Sequence, residues 1–175
     1  MADDPESDRP TSAGAGSSSR IATHGPPCPC PLTPAQEDDH GTLRVSAPAT
    51  PATVQNLRRA LRDWLAARGV ERDDAEDVVL LVDEAVTNAV EHACTDHDAC
   101  RVEVVATDRP CGAGIAVLIG DDGHWRPRPA DPGHRGRGVE LMGRLADRSS
   151  ILTDQHGTTV QMCWLPPRDP GRHDG

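Results

Sequence analysis

Between residues 43 and 165 the hydrophobic period of the chain switches from two to about 3.6 and back again, and few architectures accommodate that order. Leu43, Val45 and Ala47 alternate with Arg44 and Ser46, as in a short edge strand. Thr50 then stands at a helix N-cap, before Pro51 at the first helical position. Val54, Leu57, Leu61, Trp64 and Leu65 follow at three- and four-residue spacing until Gly69 stops the run, while Arg58, Arg59, Arg62 and Arg68 fall off that stripe as a solvated face. A second helix is predicted from Asp73, which pairs with Glu76 in a capping pattern, to about Ala93. Apolar strands are predicted over 101–106, 114–120 and 158–165, with a shorter one over 150–153. A Gly-, Pro- and Arg-rich loop over 124–135 precedes a short helix over about 138–146. Hairpin-type strand connections and segregated helices imply an α+β sandwich, one sheet with its helices on one face.

The flanks are of a different kind. Residues 1–42 are rich in Asp, Ser, Gly, Pro and Ala, with Ile21 and Leu32 the only large aliphatics after the first Met, so they are expected to form a disordered, acidic, Pro-rich tail. Residues 167–175 read as a second loose tail, leaving 43–166 as one domain. The acidic start lacks the apolar core of a secretory signal and the longest aliphatic run, Val78 to Val82, is far too short for a bilayer, so a soluble cytoplasmic protein is expected.

Composition removes whole mechanisms. All 18 basic residues are Arg and there is no Lys, which excludes a Walker-A phosphate loop, a eukaryotic-type kinase and Schiff-base chemistry. A net charge of -10 and the absence of Phe and Tyr argue against direct nucleic-acid binding or an anionic membrane surface. The six cysteines form no C-x-x-C pair, so they are expected as reduced thiols, and Cys28-Pro-Cys30 falls within the tail.

Four clusters remain that carry chemistry. On the second helix Glu84, Asn88 and His92 recur at four-residue intervals, along a different line from the apolar stripe of Val78, Leu81, Val82, Ala85, Ala89 and Ala93. A carboxylate one turn from an amide can accept a hydroxyl proton while the amide oxygen ligates Mg²⁺. Gly120-Asp121-Asp122-Gly123 ends a buried-type strand, where a carboxylate can accept from an exocyclic amine. Gly136-Arg137-Gly138 opens the short helix and frees backbone N–H groups for phosphate oxygens. Gly157-Thr158-Thr159 enters the last strand. Taken singly, each also fits a blander role: a solvated helix face, a polar turn, a flexible joint or a hairpin.

Together, in this order and spacing, Asp-Glu-Ala-Val-Thr-Asn-Ala-Val-Glu-His-Ala, Asp-x-Gly, Gly-x-Gly-Val-x-Leu-Met and Gly-Thr-Thr-Val resemble the nucleotide-binding boxes of the GHKL (Bergerat-fold) ATPase and kinase superfamily. Within it, the chain resembles the small bacterial anti-sigma-factor serine/threonine kinases of actinobacterial type. The resemblance implies a two-layer α/β sandwich with a mixed, mostly antiparallel sheet. It also implies ATP and Mg²⁺ as cofactors. Carried over by residue, Glu84 is the base and Asn88 the Mg²⁺-binding amide; Asp121 contacts adenine, with Gly123 allowing close approach. The loop from His124 to Arg135 becomes the ATP lid, Gly136 and Gly138 border the phosphates, and Thr158 and Thr159 complete the adenine side. With no Lys available, Arg135 and Arg137 are implied to meet the triphosphate charge, with Arg126 and Arg128 as further candidates. One departure is Trp125, where many members carry a second glycine.

The function that the resemblance implies is an ATP-dependent serine/threonine kinase that holds a sigma factor or phosphorylates a STAS-type anti-anti-sigma protein, and the related kinases imply a homodimer. The rival is a module of the same fold that sequesters a partner without phosphoryl transfer. A third alternative is a redox or metal sensor acting through Cys94, Cys100 and Cys111.

Overall fold

A computed structural model describes residues 19–25, 41–94, 100–109, 114–123 and 138–165. The elements are β1 (Ser19–His24), β2 (Leu43–Pro48), α1 (Pro51–Ala67), α2 (Arg72–Asn88), a π turn (Ala89–Ala93), β3 (Arg101–Asp108), β4 (Ile115–Asp121), α3 (Gly138–Leu145), β5 (Arg148–Asp154) and β6 (Gly157–Trp164). The six strands form one sheet in the order β1-β5-β6-β4-β3-β2. Every neighbouring pair is antiparallel, so the expected mixed sheet is antiparallel throughout. Short connections join β3 to β4 and β5 to β6, which only an antiparallel pair allows, whereas β2 reaches β3 through both long helices.

Helix α1 starts as its sequence dictates. The Thr50 hydroxyl accepts from Thr53 N–H at 3.2 Å, Pro51 occupies the first turn, and the Thr53 hydroxyl donates to the Pro48 carbonyl at 2.6 Å, tying the helix to β2. Helix α2 differs in detail from the expected capping box. It begins at Arg72, Glu71 is the N-cap without a side-chain cap bond, and Asp73 and Asp74 lie in the first turn, where the dipole favours their charge.

Leu57, Leu61 and Leu65 of α1 and Val78, Leu81, Val82 and Val86 of α2 pack onto Val102, Val104, Val117, Ile119, Val160 and Met162 of the central strands. The α1 arginines read as a solvated face do more than solvate. Arg58 grips Asp83 of α2 through both carboxylate oxygens at 2.7 Å, Arg62 pairs with Glu76 at 3.4 Å, and Arg68 stacks 3.8 Å over Trp64. The opposite sheet face carries its own buried cluster of Val105, Ala116, Leu118 and Cys163. Hence β4 is apolar in both alternating sets, as the unbroken run Ile115 to Ile119 requires.

Strand β1 lies inside the segment expected to be a disordered tail. It pairs with β5 from Ser19↔Thr153 to His24↔Ser149, with an irregularity between Arg20 and Ala22. Backbone pairing at an open edge needs little apolar content, which is why residue patterning did not mark it. Among the described residues no helix is long and apolar enough to cross a membrane.

Candidate nucleotide site

The sheet register sets one end of the site. Asp121, the last residue of β4, lies opposite Thr158, the second residue of β6, and both side chains fall on the helix-bearing face. Asp121 Oδ1 accepts from the Gly123 N–H at 3.0 Å. Burial holds the Asp121 carboxyl above its ordinary value, assisted by the neighbouring Asp122 charge and opposed by hydrogen bonds from the Gly123 and Thr158 backbones. The Thr158 hydroxyl is buried and has no hydrogen-bond partner among the described residues. A buried hydroxyl left without a partner costs on the order of 1–3 kcal/mol. That cost disappears when a ligand completes it. Thr159, opposite Gly120, is sent by the pleat to the other face of the sheet, so Thr158 alone of the pair shares a face with Asp121.

Gly123 is required here by close approach. A Cβ on it would collide with the carbonyl of Ala93, the last residue of the π turn, so the turn after Asp121 rests directly on the end of the α2 segment.

The other end is built by helices. Glu84 is half-buried and Asn88 exposed on α2. Gly138, the first residue of α3, is buried against them: its Cβ position lies 3.2 Å from Asn88 Nδ2 and 3.6 Å from Glu84 Oε2. A carboxylate, an amide and the positive end of a helix thus meet at one point. The Arg58 grip on Asp83, the residue before Glu84, fixes α2 against α1 at this level. His92 does not continue the Glu84–Asn88 line. Bonding from Cys94 N–H to the Ala89 carbonyl at 3.0 Å lengthens the turn by one residue, and His92 is exposed beside Glu91 at 4.0 Å. Such π turns recur at functional sites.

Arg135, Gly136 and Arg137, with Trp125, Arg126, Arg128 and the rest of the expected lid, lie outside the described residues, as do Cys28, Cys30 and Cys111. The expectation of reduced thiols is overturned for one pair: Cys94 and Cys100 are joined in a disulfide. The end of the π turn and the start of β3 bring their Cα atoms within 5.4 Å, inside the range a disulfide spans. A C-x5-C spacing does not announce that approach.

Residues 47–164, two-thirds of the chain, match the histidine kinase-like ATPase domain family. The chain belongs to that family. It is 30% identical over 138 residues to the serine-protein kinase RsbW of Bacillus velezensis, covering 69% of this chain and 82% of that protein. Against the RsbW of Bacillus subtilis the identity is 28% over 138 residues, with the same coverage. Among solved structures it is similar to the RsbU and RsbW domains of Rv1364c from Mycobacterium tuberculosis, with a TM-score of 0.58 and 26% identity over 71% of this chain. The chain spans about a third of that larger protein, 32% of its length. These likenesses bear out the GHKL reading and the α+β sandwich.

Proposed function

We propose that this member of the histidine kinase-like ATPase family is an ATP- and Mg²⁺-dependent serine/threonine kinase that acts as an anti-sigma factor in a cytoplasmic partner switch. In this reading it binds a sigma factor and a STAS-type anti-anti-sigma protein, and it transfers phosphoryl groups to the latter. The observation that carries the reading is the convergence of Glu84, Asn88 and the Gly138 end of α3, the parts that phosphoryl transfer needs together.

The base end fits adenine in chemical character. Asp121 is an acceptor for an exocyclic amine, and the Thr158 hydroxyl, without a partner among the described residues, can donate to a ring nitrogen. At the other end the Asn88 amide oxygen would hold Mg²⁺, and the first N–H groups of α3 face phosphate oxygens. Bound MgATP supplies the transferable phosphoryl group and the cation that balances its charge. Glu84 accepts the proton of the incoming serine or threonine hydroxyl, and the exposure of Asn88 beside it leaves that point open to a partner protein. Arg135 and Arg137 meet the remaining triphosphate charge, with Gly136 and Gly138 bordering it.

The deciding experiment is incubation of the purified chain with labelled ATP, Mg²⁺ and STAS proteins from the same genome. Label on a STAS serine or threonine is expected. Nucleotide binding without any transfer would leave the partner-sequestering module as the function.

A further inference from the structure

The disulfide lies where two walls of the nucleotide site meet. Cys94 follows the π turn directly and Cys100 immediately precedes β3, and both are at least nine-tenths buried. From each cysteine one residue leads to the turn after Asp121. Ala93, before Cys94, is the residue on which Gly123 rests so closely that no Cβ fits between them. Arg101, after Cys100, donates its N–H to an Asp122 carboxylate oxygen at 2.7 Å, and its carbonyl accepts from the Asp122 N–H at 3.4 Å. A carboxylate oxygen of Asp122 and the two sulfurs lie within 4.8 Å of one another. The Asp121–Gly123 turn is therefore seated on the two chain segments that the disulfide joins. Asp121 itself is oriented by the Gly123 N–H.

We propose that Cys94 and Cys100 form a reversibly oxidised dithiol, and that its disulfide state holds the Asp121–Gly123 turn in place and raises the affinity of the adjoining site for adenine nucleotide. The affinity part rests on the nucleotide reading given above. With the pair reduced, the end of α2 and the start of β3 are no longer covalently fixed, and the seat of the turn loosens. The nucleotide then has to supply the ordering that the disulfide otherwise provides in advance.

The oxidant that fits is a hydroperoxide. Both sulfurs are buried and a carboxylate stands beside them, which disfavours a bulky anionic disulfide such as oxidised glutathione but admits hydrogen peroxide. One thiolate attacks a peroxide oxygen, the O–O bond breaks, and a sulfenic acid forms as hydroxide leaves. The second sulfur then attacks the sulfenyl sulfur, the S–S bond forms, and the sulfenyl oxygen departs as water. Two thiols are oxidised to one disulfide while one peroxide is reduced to two waters. An external dithiol reverses the change by exchange, becoming a disulfide itself.

The test uses the full chain, treated with hydrogen peroxide or with dithiothreitol. Peptide mass mapping reads the Cys94–Cys100 state and calorimetry reads ADP affinity. The disulfide is expected to form and disappear reversibly, with ADP bound roughly 5-fold or more tightly in the oxidised state, the lower end of ordinary coupling between sites. The Cys94→Ser, Cys100→Ser double variant should bind like the reduced protein and ignore peroxide. Because wild type is measured in both states, a variant that misfolds does not decide the matter. Equal ADP affinity in the two states overturns the switch while leaving the nucleotide reading intact, and absence of ADP binding in both overturns the two together. Stoichiometric Zn²⁺ held by the reduced protein and blocking peroxide oxidation would replace the switch with a metal centre.

Discussion

The two ends of the candidate site are built on different principles. Asp121 and Thr158 face each other across the ladder of β4 and β6, strands with hydrogen-bonded neighbours on both sides, so backbone register fixes their separation. Glu84, Asn88 and Gly138 come from two helices, and what brings them together is side-chain packing of α2 against α3. The contrast matches the work proposed for each end. A base is recognised best by groups that cannot move, and burial there is deep enough to raise the Asp121 carboxyl. A phosphoryl group must be delivered to another protein, and Asn88 is correspondingly exposed.

If that division is right, substitutions at the two ends fail in different assays. The largest effect is expected at the helical end. Glu84→Gln keeps shape but removes the proton acceptor, and should lower phosphotransfer to the STAS partner by about 10²–10⁴-fold with ATP and partner affinity retained. A quenched-flow or labelled-ATP assay beside calorimetry separates the two. Undiminished transfer would remove Glu84 from the chemistry and leave positioning as the main source of catalysis.

Next comes the strand end. Asp121→Ala should weaken ATP binding by about 1.5–3 kcal/mol, the worth of a hydrogen bond to a charged group, and transfer should fall only through occupancy. Saturating ATP should restore transfer in this variant but not in Glu84→Gln. Rescue of both or of neither would break the division between the ends.

The raised carboxyl gives a third prediction with a definite sign. A carboxyl whose folded value lies above 3.8 binds its proton more tightly in the folded state. Its stabilising contribution is thus fully present below 3.8 and is lost as pH rises through the folded value. Asp121→Asn should therefore raise the melting temperature relative to wild type at pH 7, with the gain shrinking as pH falls through the raised folded value and gone below 3.8, while weakening ATP. For wild type, ATP affinity should decline on acidification earlier than an ordinary carboxylate would dictate. A variant less stable than wild type at pH 7 would show that the carboxylate is a structural anchor.

Residue patterning gave most of this arrangement, for reasons visible in particular elements. The α1 stripe with its Thr50-Pro51 start, and the unbroken apolar run of β4, are local patterns that tertiary structure obeyed. The Glu84–Asn88 pair was legible because four residues make one turn of an α-helix. His92 was not, because a π turn begins at Ala89 and no residue there announces it. Thr158 and Thr159 are adjacent in sequence, yet opposite pleat faces separate them, a distinction that needs register. The Cys94–Cys100 bond depends on two segments meeting in space. Strand β1 depends on an edge that β5 offers, and composition speaks only to what a segment can bury.

That last element supplies the smallest expected effect and the strictest control on the comparison. β1 joins β5 at the sheet edge, with β5 and β6 between it and β4, and on the far side of β6 from Asp121. The ladder hydrogen bonds of its six residues are opposed by the entropy of ordering them, so its net contribution to stability is small. Deleting residues 1–25 should therefore lower the melting temperature slightly and leave β5 as a new edge. ATP affinity should stay unchanged, because Asp121 and Thr158 keep their register through the β4–β6 ladder alone. A denaturation curve and an ATP titration on the truncated chain check both. A tenfold loss of ATP affinity would mean that the edge strand holds β6 in register, and the base end would then owe its rigidity to the whole sheet.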